Sequence, residues 1–135
     1  MIEGLSHITL VVSDLERSAT MLRRVFDAKE LYASGPKQFS ISAEMFFDVG
    51  GVWLVLMQGE SLPSPSYRHI AFKIAEGDFE PYLKRIEALG LKVKPPRARV
   101  EGEGRSIYFY DYDNHLFELH TGTLQERLRH YLEKE

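Results

Sequence analysis

Apolar and polar residues alternate from Leu5 to Val12 (LSHITLVV) and again from Tyr67 to Ile74 (YRHIAFKI), each time with a histidine third. Alternation with period two predicts β-strands with one face turned to a core. His7 and His69 thus become a matched pair in one strand written twice. The period then changes to that of a helix. Asp14 precedes LERSATMLRRVF, with Leu15, Ala19, Leu22 and Phe26 along one face, and Asp78 precedes FEPYLKRIEALG, with Phe79, Leu83, Ile86 and Leu89. Both aspartates are predicted N-caps, because a carboxylate there accepts the orphan backbone donors of the first turn. A hairpin follows each helix: Phe46 to Met57, turning at Gly50-Gly51, and Ile107 to His120, turning at Asp113-Asn114.

The pattern predicts two βαβββ modules, at about 1–60 and 67–122, within one α+β domain spanning 1–135. A unit of that size cannot bury a core alone and must pair with its copy. Ser61 to Ser66 (SLPSPS) is the connection, since its prolines stop the preceding strand. In the tail TLQERLRHYLEKE, Thr123 and Glu126 have capping-box spacing, and Leu124, Leu128 and Tyr131 lie near one face. A terminal helix over 123–133, packed on the domain, is expected.

Aligning the hairpins sets Val55 opposite Glu118 as its counterpart. Strand alternation puts Leu116, Glu118 and His120 on one face and His115, Phe117 and Leu119 on the other, and it sets His7 with Thr9 and Val11. If the modules curl into half-barrels facing each other, a cupped mixed sheet presents His7, Val55, His69 and Glu118 to one cavity. Three of those four can bind a metal. Apolar Val55 leaves coordination positions open, as in a catalytic rather than a closed structural site.

Composition narrows the chemistry. The chain has 135 residues, 44% apolar and 27% charged, with a net charge of −3 and no cysteine. Lack of cysteine excludes a disulfide framework, a zinc-thiolate site and a thiolate nucleophile. Any metal must be held by nitrogen and oxygen, and two His with one carboxylate suit Mn, Fe, Zn, Co or Ni. A slightly acidic surface with no basic block argues against nucleic acid. No apolar run approaches about 20 residues, and MIEGLSHITL lacks signal-peptide regions, so no membrane partner and a cytoplasmic location are expected.

GLSHITLVVSDL, YRHIAF and the block EGEGRSIYFYDYDNHLFELHTGTLQERL resemble the fosfomycin-resistance enzymes of the vicinal-oxygen-chelate superfamily, most closely their FosX-type epoxide hydrolases. The likeness spans nearly the whole chain. It implies a domain-swapped homodimer in which His7, His69 and Glu118 hold a divalent metal, usually Mn2+, His7 coming from one subunit and the other two from its partner. Fosfomycin is the implied substrate. Glutathione-using relatives carry a potassium-binding loop with serine and asparagine where this chain has Val100, Glu101, Gly102 and Glu103. Thiol-using relatives also lack a carboxylate at Glu44, which FosX-type enzymes use to activate water. The match further implies that Thr9, Ser106, Tyr108 and Arg127 bind the phosphonate and that Phe46 and Tyr67 shape the pocket.

Bland roles are weighed beside these. A lone strand histidine is usually packed or solvated, Arg127 could be an exposed helix charge, and Trp53 is expected in the core near the site. His115 is expected in solvent, and His120 in a supporting role beside Glu118. A thiol transferase of the same fold, a non-catalytic drug-binding protein and a ring-cleaving or glyoxalase relative remain as alternatives.

Overall fold

The computed structural model describes residues 1–36, 41–96 and 103–133. They fall into two compact units: Met1–Ser64 with Tyr112–Asn114, and Pro65–Asp111 with His115–Glu135.

The first unit contains β1 (His7–Val12), α1 (Leu15–Phe26), β2 (Lys29–Ala33), β3 (Glu44–Val49) and β4 (Val52–Gln58). Its sheet has the order β1-β4-β3-β2, with β1 parallel to β4 and the other neighbours antiparallel. Helix α1 occupies the predicted residues. Asp14 caps it by accepting from the Arg17 amide at 3.0 Å, and Asp27 ends it in the left-handed region at φ 54°. Its apolar face buries Ala19, Leu22, Val25 and Phe26 with Leu10, Val12, Phe47 and Leu54. Burial of each of these side chains larger than alanine is worth about 1.5–3 kcal/mol. The hairpin turns at Gly50 and Gly51, both at positive φ (57° and 88°), where a side chain would be strained. Strand β2 carries no alternation in KELYA that separates it from a loop, and the sequence reading leaves it unplaced.

The second unit contains β5 (His69–Lys73), a 3-10 turn (Glu76–Asp78), α2 (Phe79–Ala88), β6 (Ser106–Tyr110), β7 (Leu116–His120) and α3 (Leu124–Glu133). The sheet order is β5-β7-β6, and Val93 adds one antiparallel bridge to Phe109. Ile86, Ile107, Phe109, Phe117 and Leu119 form its core. Two expectations are corrected here. Asp78 makes no side-chain cap, because the 3-10 turn continues directly into α2 and leaves it in helical conformation. The second hairpin does not turn tightly at Asp113-Asn114. Its connection runs from Asp111 to His115, closed by the Asp111 amide on the His115 carbonyl (2.9 Å), while Asn114 sits at φ 68°.

Register makes the duplication quantitative. In the first unit His7 pairs with Trp53 and Thr9 with Val55; in the second His69 pairs with Leu116 and Ala71 with Glu118. Across the hairpins Val55 faces Phe46 and Met57 faces Glu44, as Glu118 faces Tyr108 and His120 faces Ser106. Val55 and Glu118 are therefore equivalent positions. Glu44 occupies in the first unit the place that Ser106 holds in the second.

Candidate metal centre and active site

In the second unit, alternation along β5 and β7 turns His69 and Glu118 to one sheet face. The His69 Nδ1 lies 2.6 Å from the Tyr67 carbonyl oxygen. A carbonyl only accepts, so Nδ1 carries a proton and Nε2 is the nitrogen that faces Glu118. That Nε2 stands 3.0 Å from Glu118 Oε1. Two donors bound to one ion at roughly 2.1 Å and at a right angle stand about 3 Å apart, so the pair has the separation of adjacent metal ligands. Fixing the outer nitrogen on a carbonyl is also how metal-binding histidines are oriented.

Glu118 is only 6% exposed. Burial pushes its carboxyl up, but hydrogen bonds from Ser106 and Tyr108 and the neighbouring His120 and His69 outweigh it and hold the group below the ordinary carboxylate value. A buried anion thus stands ready for a cation. Ser106 Oγ donates to Glu118 Oε2 at 2.6 Å and stands 2.7 Å from His120 Nδ1. His120 in turn contacts Arg127 Nη2 through Nε2 at 3.3 Å. A cleft of about 360 Å³ opens beside them, lined by His69, Glu118, His120, Thr123 and Arg127 among others. Tyr67 and Tyr108 wall His69, with ring centroids at 4.8 and 5.5 Å, and their hydroxyls meet at 3.2 Å.

The remaining predicted residues share a face of the first unit's sheet. His7 and Thr9 are exposed on β1, and half-buried Phe46 and Glu44 follow on β3. Trp53 departs from its expected place in the core: it is 38% exposed and packs on His7 at 4.4 Å and on Phe46 at 5.2 Å. His115 is not in solvent either, because Asp111 holds it through Nδ1 and through its amide, both at 2.8 Å. Among the described residues, no group of three His, Asp or Glu side chains could hold a metal ion. Val100, Glu101 and Gly102 of the potassium-loop comparison lie outside the described residues, and Glu103 is buried. Sequence reasoning missed how closely His120 engages Glu118 and Arg127, although its position two residues beyond Glu118 on the same face signalled it.

No helix among the described residues is long and apolar enough to cross a membrane. The model of the Glyoxalase/Bleomycin resistance protein/Dioxygenase superfamily matches residues 4–119. The FosX fosfomycin resistance protein of Mesorhizobium japonicum is 63% identical over 128 residues, covering 95% of this chain and 92% of its own. A solved structure of a Listeria monocytogenes FosX variant, complexed with Mn(II) and 1S,2S-dihydroxypropylphosphonic acid, aligns with a TM-score of 0.91 at 53% identity, over 97% of this chain and 99% of that one. The metallothiol transferase FosB of Shouchella clausii stands further off, at 39% identity over 97% of this chain and 88% of its own. The chain belongs to the Glyoxalase/Bleomycin resistance protein/Dioxygenase superfamily, and within it to the FosX-like fosfomycin resistance proteins.

Proposed function

We propose that this protein opens the epoxide ring of fosfomycin with water, giving the diol and thereby resistance to the antibiotic. His69 and Glu118, with His7, are the metal ligands, and manganese suits their nitrogen and oxygen donors. As the resemblance implies, His7 reaches the pair from a second copy in a homodimer. The domain spans 1–135, its two modules acting together, and it works in the cytoplasm on a small-molecule substrate without nucleic acid.

When bound, the divalent ion supplies Lewis acidity to the opening ring and countercharge to the phosphonate. Arg127 suits the phosphonate oxygens through its planar fork of donors, and Thr9, Ser106 and Tyr108 add hydroxyls. Phe46 and Tyr67 border the substrate and exclude bulk water. Glu44 takes a proton from water as the oxygen attacks a ring carbon; that carbon's bond to the ring oxygen breaks, and the oxygen stays on the neighbouring carbon and takes a proton from solvent to become the second hydroxyl.

The observation that carries hydrolysis over thiol transfer is Glu44 itself, a half-buried carboxylate on the same strand face as Phe46. Glu44→Gln keeps the size and removes the basicity. Turnover should fall by about 10²–10⁴-fold, with manganese and fosfomycin binding close to wild type. A Glu44→Gln enzyme that hydrates fosfomycin at the wild-type rate would exclude this role.

A further inference from the structure

Four side chains of the second unit form a chain of hydrogen bonds whose direction can be worked out at every link. Arg127 has only donors, so its Nη2, 3.3 Å from His120 Nε2, fixes that nitrogen as the acceptor. The His120 proton is then on Nδ1, which stands 2.7 Å from Ser106 Oγ and 3.3 Å from Glu118 Oε2. Ser106 spends its single proton on Glu118 Oε2 at 2.6 Å, so its oxygen is free to accept from His120. The order is Arg127 to His120 to Ser106 to Glu118. An obligate donor, Arg127, stands at one end and the Glu118 carboxyl at the other.

The backbone around His120 is built to allow this. A side chain at Gly122 would put its Cβ 2.8 Å from His120 Nε2, the atom that meets Arg127, and 2.7 Å from the Glu103 carbonyl oxygen. Gly104, at φ 80°, packs against Gly122 so closely that a Cβ would lie 2.5 Å from the Gly122 nitrogen. Thr123 then opens α3 by accepting from the Glu126 amide at 3.1 Å, which starts the helix that carries Arg127 back to the ring.

We propose that His120 is a positioning residue that ties the anion-binding Arg127 to the metal ligand Glu118, so that each holds the other in place. His120 ligates nothing itself, since both ring nitrogens are committed. With the relay intact the Ser106 proton orients Glu118, so Ser106 borders the phosphonate without donating to it. The inference rests on the assignment of Glu118 and Arg127 made above.

The test separates the two ends of the relay. His120→Phe removes both. His120→Asn can place an amide donor where Nδ1 stands and leaves nothing at Nε2, whereas His120→Gln can place an acceptor near Nε2 and leaves nothing at Nδ1. Manganese affinity is read from free-ion electron paramagnetic resonance, and the KM for fosfomycin is measured at saturating manganese. His120→Phe should weaken manganese binding by roughly 10-fold or more and raise KM. His120→Asn should keep manganese affinity and raise KM, and His120→Gln should do the reverse. Should His120→Phe fail to fold, the Asn and Gln pair alone decides. Wild-type values in His120→Phe, or equal losses at both ends in Asn and Gln alongside a lowered unfolding midpoint, would overturn the relay and leave a packing role. Glu118→Ala is the control for the underlying assignment: if it still binds manganese like wild type, the metal site fails independently of the relay.

Discussion

Asp113 shows at the scale of one residue how a buried charge can be made to stabilise. It is fully buried and accepts from the Ser13 amide at 2.9 Å and from the Ser61 hydroxyl. Burial pushes its carboxyl up, but these hydrogen bonds and the Arg17 guanidinium outweigh it and hold it below its ordinary value of 3.8. A group whose folded value lies below its unfolded one contributes stability above the unfolded value and loses it as pH falls through the folded one. Asp113→Asn should therefore cost roughly 1–3 kcal/mol near neutrality, and the gap from wild type should close below about pH 4. Urea unfolding across that range measures it; a gap independent of pH would rule out the charge as the cause. Asp113 was legible only as a turn residue, because its partners lie 52 and 100 positions away in sequence. The same limit explains His115, whose hold by Asp111 depends on the closure of a five-residue loop. The strand positions of His7, His69 and Glu118 were legible because duplication supplies each with a counterpart to be read against.

Elements with a strong period and a local start signal were legible to the residue, and α1 is the example. Helix α2 starts where predicted, at Phe79, but ends at Ala88, two residues early, and lacks its predicted cap, since a preceding 3-10 turn is not encoded in helical periodicity. For α3 the apolar spacing was right and its consequence was not: Leu124, Leu128 and Tyr131 are 66%, 46% and 43% exposed in the chain instead of packed on the domain. Periodicity locates a stripe and says nothing of what covers it. The N-cap half of the box is in place: Thr123 Oγ1 accepts from the Glu126 amide at 3.1 Å, and its hydroxyl donates to Glu126 Oε1 at 2.9 Å. Thr123→Ala should weaken the first turn by about 1 kcal/mol, a rise of about fivefold in hydrogen exchange of the α3 amides. The amides of α1 should exchange as before. Unchanged exchange in α3 would mean that the helix is held by something other than its cap.

For the whole molecule, the sequence carried the duplicated architecture further than its assembly. Each unit's sheet repeats the same register, which is why one alignment of the repeat matched His7 with His69 and Val55 with Glu118. In the proposed homodimer His7 of one subunit would meet His69 and Glu118 of the other, an arrangement that no periodicity within one chain encodes. A homodimer that shares its sites predicts complementation. His7→Ala and Glu118→Ala proteins, each inactive alone, should recover about a quarter of wild-type activity after subunit exchange, because half the dimers are mixed and each of those regains one site. No recovery after exchange is verified by mass would place all three ligands in one chain. The chemistry itself is decided by the source of the new oxygen. Manganese-loaded protein would be given fosfomycin in oxygen-18 water, without and with glutathione, cysteine or bacillithiol, and its product followed by phosphorus NMR and mass. The account predicts a dihydroxypropylphosphonate carrying one heavy oxygen, formed at the same rate whether or not thiol is present. A sulfur-conjugated product formed faster than the diol would contradict it.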